Sequence, residues 1–166
     1  MMSTIAITDA NIFIDLFRME LPHLLFETGL EIHTTREVFE ELYPAQQAIL
    51  LNFGGLIIHD LTDAQWTQVQ GLNLPRKFSQ ADCSVMGLAH QLQVAVLSNE
   101  KLMRKKAAQW GLEVRGTLWL LDQFVDLQCC SPALAAERLE HLMRLNPYLP
   151  KAEGLARLNQ WASMVE

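Results

Sequence analysis

Five short apolar runs of strand type, separated by stretches with helical spacing, constrain the fold of this 166-residue chain more than any other feature. The runs are Ile5-Ala6-Ile7, Glu31-Ile32-His33, Leu56-Ile57-Ile58, Val94 to Leu97 and Gly111 to Val114. Strands that alternate with helices in this way pair in parallel, because a parallel crossover needs a helix-sized connection. The expected class is therefore α/β: a parallel sheet with helices on both faces. Two further helices are expected after it, roughly Pro132 to Leu145 and Lys151 to Met164, separated by Asn146-Pro147 and Pro150.

Half the residues are hydrophobic and only 19% are charged, enough for a single domain over 1–166 to bury a full core unaided. The three cysteines, Cys83, Cys129 and Cys130, are odd in number and lack zinc-ligand spacing. They read as buried thiols in a reducing compartment. No apolar run is long enough to span a membrane, and the N-terminus lacks a signal-peptide layout. The expectation is a cytoplasmic protein with no membrane contact.

Acidic residues recur where strands give way to helices. Asp9 follows the first strand, and Asn11 and Asp15 follow it four residues apart, on one face of the next helix. A carboxylate at the C-terminal end of such a strand stands where α/β folds bind ligands, although Asp9 would also serve as a helix cap. Thr34-Thr35-Arg36-Glu37 has capping-box spacing and would occupy Glu37. In the helix it opens, Val38, Leu42, Ala45 and Ile49 mark the core side. Glu41 lies at the flank of that side and Glu40 points to solvent, so Glu41 is the first choice for an inward carboxylate and Glu37 the second. Ser79-Gln80-Ala81-Asp82 opens a later helix whose apolar stripe, Val85, Met86 and Ala89, shares a face with Asp82. A carboxylate against such a stripe costs several kcal/mol unless paired or metal-bound. Ser98-Asn99-Glu100 repeats the polar junction after another strand.

Strand ends of a parallel sheet converge on one edge, where carboxylates repel one another unless divalent cations neutralise them. Oxygen-only ligands suit Mg²⁺ or Mn²⁺, and the chemistry they support is in-line phosphodiester hydrolysis. No serine–histidine or cysteine–histidine arrangement competes, and the five histidines sit singly. The net charge of −6 argues against a general nucleic-acid-coating protein but not against a nuclease, since a metal-binding acidic cluster itself lowers the charge. Between Asn99 and Arg115 five basic residues, Lys101, Arg104, Lys105, Lys106 and Arg115, face only two acidic ones. That run is either a solvated helix face or a phosphate-contacting patch.

The combination of ITDANIFIDLF, EVFEEL, FSQADCSVMGLA and VLSNEKLMRKKAAQWGLEVRGTLWLL resembles the PIN domain family of small metal-dependent ribonucleases, over about residues 4–126. The helical extension over 131–166 resembles the subgroup often found as toxins of toxin–antitoxin pairs. The resemblance implies a three-layer α/β/α sandwich with a five-stranded parallel sheet. It further implies a site of Asp9, Glu41 and Asp82 holding Mg²⁺ or Mn²⁺, with Asn11, Ser98 and Asn99 in support. Glu100 stands at the fourth acidic position, where the family usually has Asp; its extra methylene bears on full activity, since Mg²⁺ demands near-ideal geometry. An RNA substrate held by Lys101, Arg104 and Lys105, an antitoxin partner and a homodimer are implied in the same way.

Two other functions compete with an endoribonuclease. A catalytically silent PIN-like module binding a protein or RNA is one. A phosphatase with Asp9 as nucleophile is the other, and it would want a second Asp where Asn11 stands.

Overall fold

The computed structural model describes residues 4–164. Its five strands are β1 (Ile5–Thr8), β2 (Glu31–Thr35), β3 (Ile57–His59), β4 (Ala95–Leu97) and β5 (Val114–Arg115). All pair in parallel, in the order β3-β2-β1-β4-β5. The central strand is β1, where Ala6 and Ile7 are fully buried and pair with Ile32 and His33 on one side and Ala95 and Val96 on the other. From β1 the chain builds outward through β2 and β3, then returns to build the other half from β4. The order thus reverses between β1 and β4, and crevices at such reversals are where open α/β sheets take ligands.

The helices that flank the sheet are α1 (Ala10–Arg18), α2 (Arg36–Glu40), α3 (Pro44–Phe53), α4 (Asp63–Gln70), α5 (Gln80–Leu92), α6 (Lys101–Gln109) and α7 (Thr117–Asp126). The fold is the expected α/β sandwich, a five-stranded parallel sheet flanked by helices. A 3₁₀ turn over Pro22–Glu27 leads from α1 into β2. Two C-terminal helices follow, α8 (Pro132–Leu145) and α9 (Lys151–Ser163). Among the described residues no helix is long and apolar enough to cross a membrane.

Three local expectations are corrected. The helix expected to carry Val38, Leu42, Ala45 and Ile49 on one face is two helices, with α2 ending at Glu40 and α3 beginning at Pro44. Proline cannot continue a helix, because it lacks the amide hydrogen and clashes with the preceding turn, but it suits a first turn. Val38 and Leu42 are accordingly buried, whereas Ala45 and Ile49 are exposed. The cap of α2 is Thr35 and not Thr34: the Thr35 hydroxyl accepts from Val38 N at 3.3 Å. Thr34 stays in β2 and donates its hydroxyl to the Thr8 carbonyl at 2.8 Å, so Glu37 has no capping box to complete. Finally, His33 and His59 are not isolated. Their rings stack across the β2–β3 pair, with Nδ1 of His33 2.7 Å from Nε2 of His59, and Nε2 of His33 is 2.8 Å from Glu31 Oε1.

The C-terminal helices belong to the main core. Ala135, Leu139, Leu142, Leu149 and Trp161 join the same buried cluster as the sheet residues, and Trp161 is among the largest buried side chains. Truncating a buried aromatic of that size costs about 3–5 kcal/mol. Leu145 and Tyr148, from the same stretch, remain exposed.

Candidate active site

At the reversal point Asp9 ends β1 and caps α1. Its Oδ1 accepts from Ile12 N at 3.1 Å, and its Oδ2 accepts from the Ser98 hydroxyl at 2.6 Å. Ser98 follows β4, so this bond closes the seam between the two halves of the sheet at its C-terminal edge. Asp9 is almost wholly buried. Burial pushes its carboxyl up to about 7; the Ser98 and Ile12 hydrogen bonds oppose that rise, and the charges of Asp82 and Asp15 add to it.

Asp82 opens α5, and its charge is felt at Asp9. It completes the expected capping box, its Oδ2 accepting from Ser79 N at 3.0 Å while its own amide donates to Ser79 Oγ at 3.0 Å. One capping bond uses one carboxylate oxygen, so the structural role does not exhaust the group. Asp82 also pushes on Glu41, whose carboxyl is raised first by partial burial and then by the Asp82 charge. Glu41 ends α2 as its C-cap and is exposed as a residue. Asp82 is thus the member that both other carboxylates sense. On the same edge the Thr35 and Ser84 hydroxyls bond each other at 2.7 Å, tying α2 to α5. Glu37, the second choice, is half-buried, and its Oε1 is buried with no hydrogen-bond partner.

Glu100 is placed differently. It caps α6, its Oε2 accepting from Met103 N at 2.8 Å, and its own amide donates to Ser98 Oγ at 3.1 Å. A carboxylate is favoured at that helix start by the unpaired amides, and Asp9 makes the equivalent bond on α1 with the shorter side chain.

Asn99 bonds away from Asp9. Its Nδ2 donates to Asp15 Oδ2 at 3.0 Å and to Thr117 Oγ1 at 2.8 Å, and its Oδ1 accepts from Thr117 N at 2.9 Å. Asp15 also accepts from the Thr117 hydroxyl at 2.9 Å and from Asn146 Nδ2 at 3.1 Å. Burial raises the Asp15 carboxyl, against these hydrogen bonds and the Arg18 charge. The spacing placed Asp15 on a face with Asn11 but gave it no role. The available signal was a carboxylate among Ile12, Phe13 and Leu16, all buried, since a charge there requires partners.

A groove of about 1230 Å³ runs beside this network, between the start of α6, the start of α7 and the α8–α9 connection. Asn11, Lys101 and Arg104 line it, and Arg104 Nη1 also donates to the Ser98 carbonyl at 3.1 Å. Lys105 is exposed but does not line it.

Among the described residues, no group of three or more Asp, Glu, His or Cys side chains is gathered so that it could hold a metal ion. The donor chemistry nevertheless fits a hard divalent cation. All the groups are carboxylates; burial raises Asp9 and Glu41, the Asp82 charge adds to both, and an ion between them would relieve that added repulsion.

Comparison with curated proteins returns no match. Among solved structures the chain is similar to a PilT N-terminus domain protein from the hyperthermophilic archaeon Sulfolobus solfataricus P2. That similarity is at 12% identity with a TM-score of 0.46, over 72% of this chain and 92% of that one. The DUF3368 family, described as a PIN domain, matches residues 5–162, which include Asp9, Glu41, Asp82, Ser98 and the C-terminal helices. The chain therefore belongs to the DUF3368 family of PIN domains, a class made up in general of metal-dependent nucleases.

Proposed function

We propose that this protein is an Mg²⁺- or Mn²⁺-dependent endoribonuclease that hydrolyses phosphodiester bonds at the C-terminal edge of its sheet. The observation that carries the proposal is the environment of Asp9: buried at the reversal point, held by Ser98, and pushed up to about 7 with the Asp82 charge beside it. Asp9 and Asp82, with Glu41, would hold the cation. When bound, it polarises a phosphoryl oxygen and acidifies an attacking water.

The chain's own groups orient and hold. Ser98 and the Ile12 amide fix both oxygens of Asp9, and the Ser79 amide fixes one oxygen of Asp82. These carboxylates therefore need little reorganisation when a phosphate arrives. Glu100 caps the start of α6, the helix that carries Lys101 and Arg104, whose charges suit the RNA backbone. Lys105 would contact a strand only beyond the groove. In a toxin–antitoxin pair, the same carboxylates would accept an arginine from the antitoxin.

The test is cleavage of unstructured RNA with and without Mn²⁺. Asp9→Asn and Asp82→Asn should each abolish it while the melting transition persists; undiminished cleavage in both removes these residues from the site. A silent binding module is the second reading, favoured by the commitment of Glu100 to its helix cap and by the open spacing of the acids. Calorimetry separates the two, because a silent module takes up no Mn²⁺ at millimolar concentration.

A further inference from the structure

The α8–α9 connection holds an exposed aromatic ring on a built turn. Tyr148 is 92% exposed, so its ring contributes little to the core. Its backbone is nevertheless tied down: Tyr148 N donates to Asn146 Oδ1 at 3.0 Å, while Asn146 Nδ2 donates to the buried Asp15 at 3.1 Å. Pro147 directly precedes Tyr148 and Pro150 follows two residues on, and both restrict the backbone further. Fixing the backbone that carries an aromatic reduces the ordering cost of binding to it.

The same groove reverses the sign of the molecule. The chain carries a net −6, yet Arg18, Lys101, Arg104, Arg115 and Arg157 line the groove against three carboxylates, Asp15, Glu100 and Glu153. Arg157 is committed to Asp122 at 2.9 Å. Arg18, Lys101 and Arg115 pair with no carboxylate among the described residues. The Arg115 guanidinium lies 5.7 Å over the Trp119 ring, at the groove wall. At about 1230 Å³ the space exceeds the roughly 300–1,000 Å³ of small-molecule pockets. Exposed rings for bases and unpaired cations for phosphates are the two elements by which proteins hold single strands.

We infer that the α8–α9 connection forms a flanking-nucleotide subsite, in which single-stranded RNA passing the acidic edge stacks a base on Tyr148 and sets its phosphates against Arg18 and Arg115. This rests on the endoribonuclease reading for the identity of the polymer, but it concerns binding away from the carboxylates.

The experiment is fluorescence anisotropy of a labelled, unstructured 12-nucleotide RNA (an arbitrary length of roughly one groove and its flanks) with the full chain in EDTA. Tyr148→Ala should weaken binding about tenfold, with its melting temperature unchanged because the ring is exposed; Tyr148→Phe should bind like wild type. Arg18→Gln and Arg115→Gln should each lower the salt dependence of log K by about 0.7. Equal binding by Tyr148→Ala and wild type overturns the subsite. So does a wild type that ignores the RNA and instead takes up a polyglutamate peptide in a Tyr148-dependent way, which would assign the groove to an acidic protein partner. Tyr148-dependent RNA binding by a chain that shows no Mn²⁺-dependent cleavage keeps the subsite and removes the nuclease reading. Mn²⁺-dependent cleavage with Tyr148-independent binding does the reverse.

Discussion

Asn146, in the connection between the last two helices, donates its side-chain amide to Asp15 of α1 at 3.1 Å. Because Asp15 also accepts from Asn99 and Thr117, one buried carboxylate joins the first helix, the loop after β4, the start of α7 and the C-terminal hairpin. The loop in question is the one that supplies Ser98 to Asp9. The C-terminal extension is thus wired to the candidate site through two carboxylates on one helix and its cap.

Removing that centre should be costly. Asp15→Ala strands the Thr117 hydroxyl and the Asn146 amide and leaves Asn99 Nδ2 only its bond to Thr117, and each unsatisfied buried partner costs about 1–3 kcal/mol. The expected loss, measured by urea unfolding, is about 3 kcal/mol, with a fall in melting temperature on the order of 10 °C. Asn146→Ala removes one bond and should cost about 1 kcal/mol.

The Asp9 carboxyl makes stability depend on pH in a defined direction. Its ordinary pKa of 3.8 rises to about 7 in the fold, so between these values the folded chain holds a proton that the unfolded chain has released. Stability is then greatest at the acidic end of the window and declines as pH rises through it. In EDTA, Asp9→Asn should match wild type near pH 4 and exceed it at pH 8, by on the order of 4 kcal/mol at most. Urea titrations at both pH values decide this; equal stability at pH 8 would show that Asp9 carries no such strain.

His59 acts with the opposite sign. Burial, then the His33 charge, lowers its pKa from 6.5, with Asp60 opposing, so the unfolded imidazole binds a proton that the folded ring resists. Stability is therefore lost as pH falls below about 6.5. In an Asp9→Asn background the His59 effect is read as the difference in thermal unfolding between the chain with and without His59→Gln, since the raised Asp15 and Glu41 carboxyls are common to both. From pH 6.5 to pH 5 the His59→Gln chain should gain stability relative to its His59 parent.

Gly116 is the tightest position beside the site. A Cβ there would stand 2.3 Å from Asn99 Oδ1 and 3.1 Å from Arg104 Nη1. Gly116→Ala must displace Asn99 from Thr117 and disturb the loop carrying Ser98. Steady-state cleavage should show kcat lower by on the order of a hundredfold, the scale of a 1 Å misplacement, while circular dichroism reports an intact fold. Unchanged kcat would mean that Asn99 does not position the Ser98 loop.

Strand–helix alternation determined the parallel sheet, because a parallel pair admits few connections and each apolar run is short enough to be only a strand. Local spacing also determined the Ser79–Asp82 capping box, the α8 and α9 boundaries and the position of Asp9 at a strand end, each set by interactions within a few residues. The α2–α3 break is legible in Pro44, which lacks the amide hydrogen a continuous helix needs, although the apolar periodicity runs across it. What only the tertiary structure decided are the relationships across the sheet: Ser98 on Asp9, Asn146 and Asn99 on Asp15, and His33 against His59. None leaves a sequence signature, because a hydrogen bond between distant segments depends on strand order and helix docking and not on spacing. Buried carboxylates such as Asp15 can announce that they need partners, but only the packed chain assigns which partners they have.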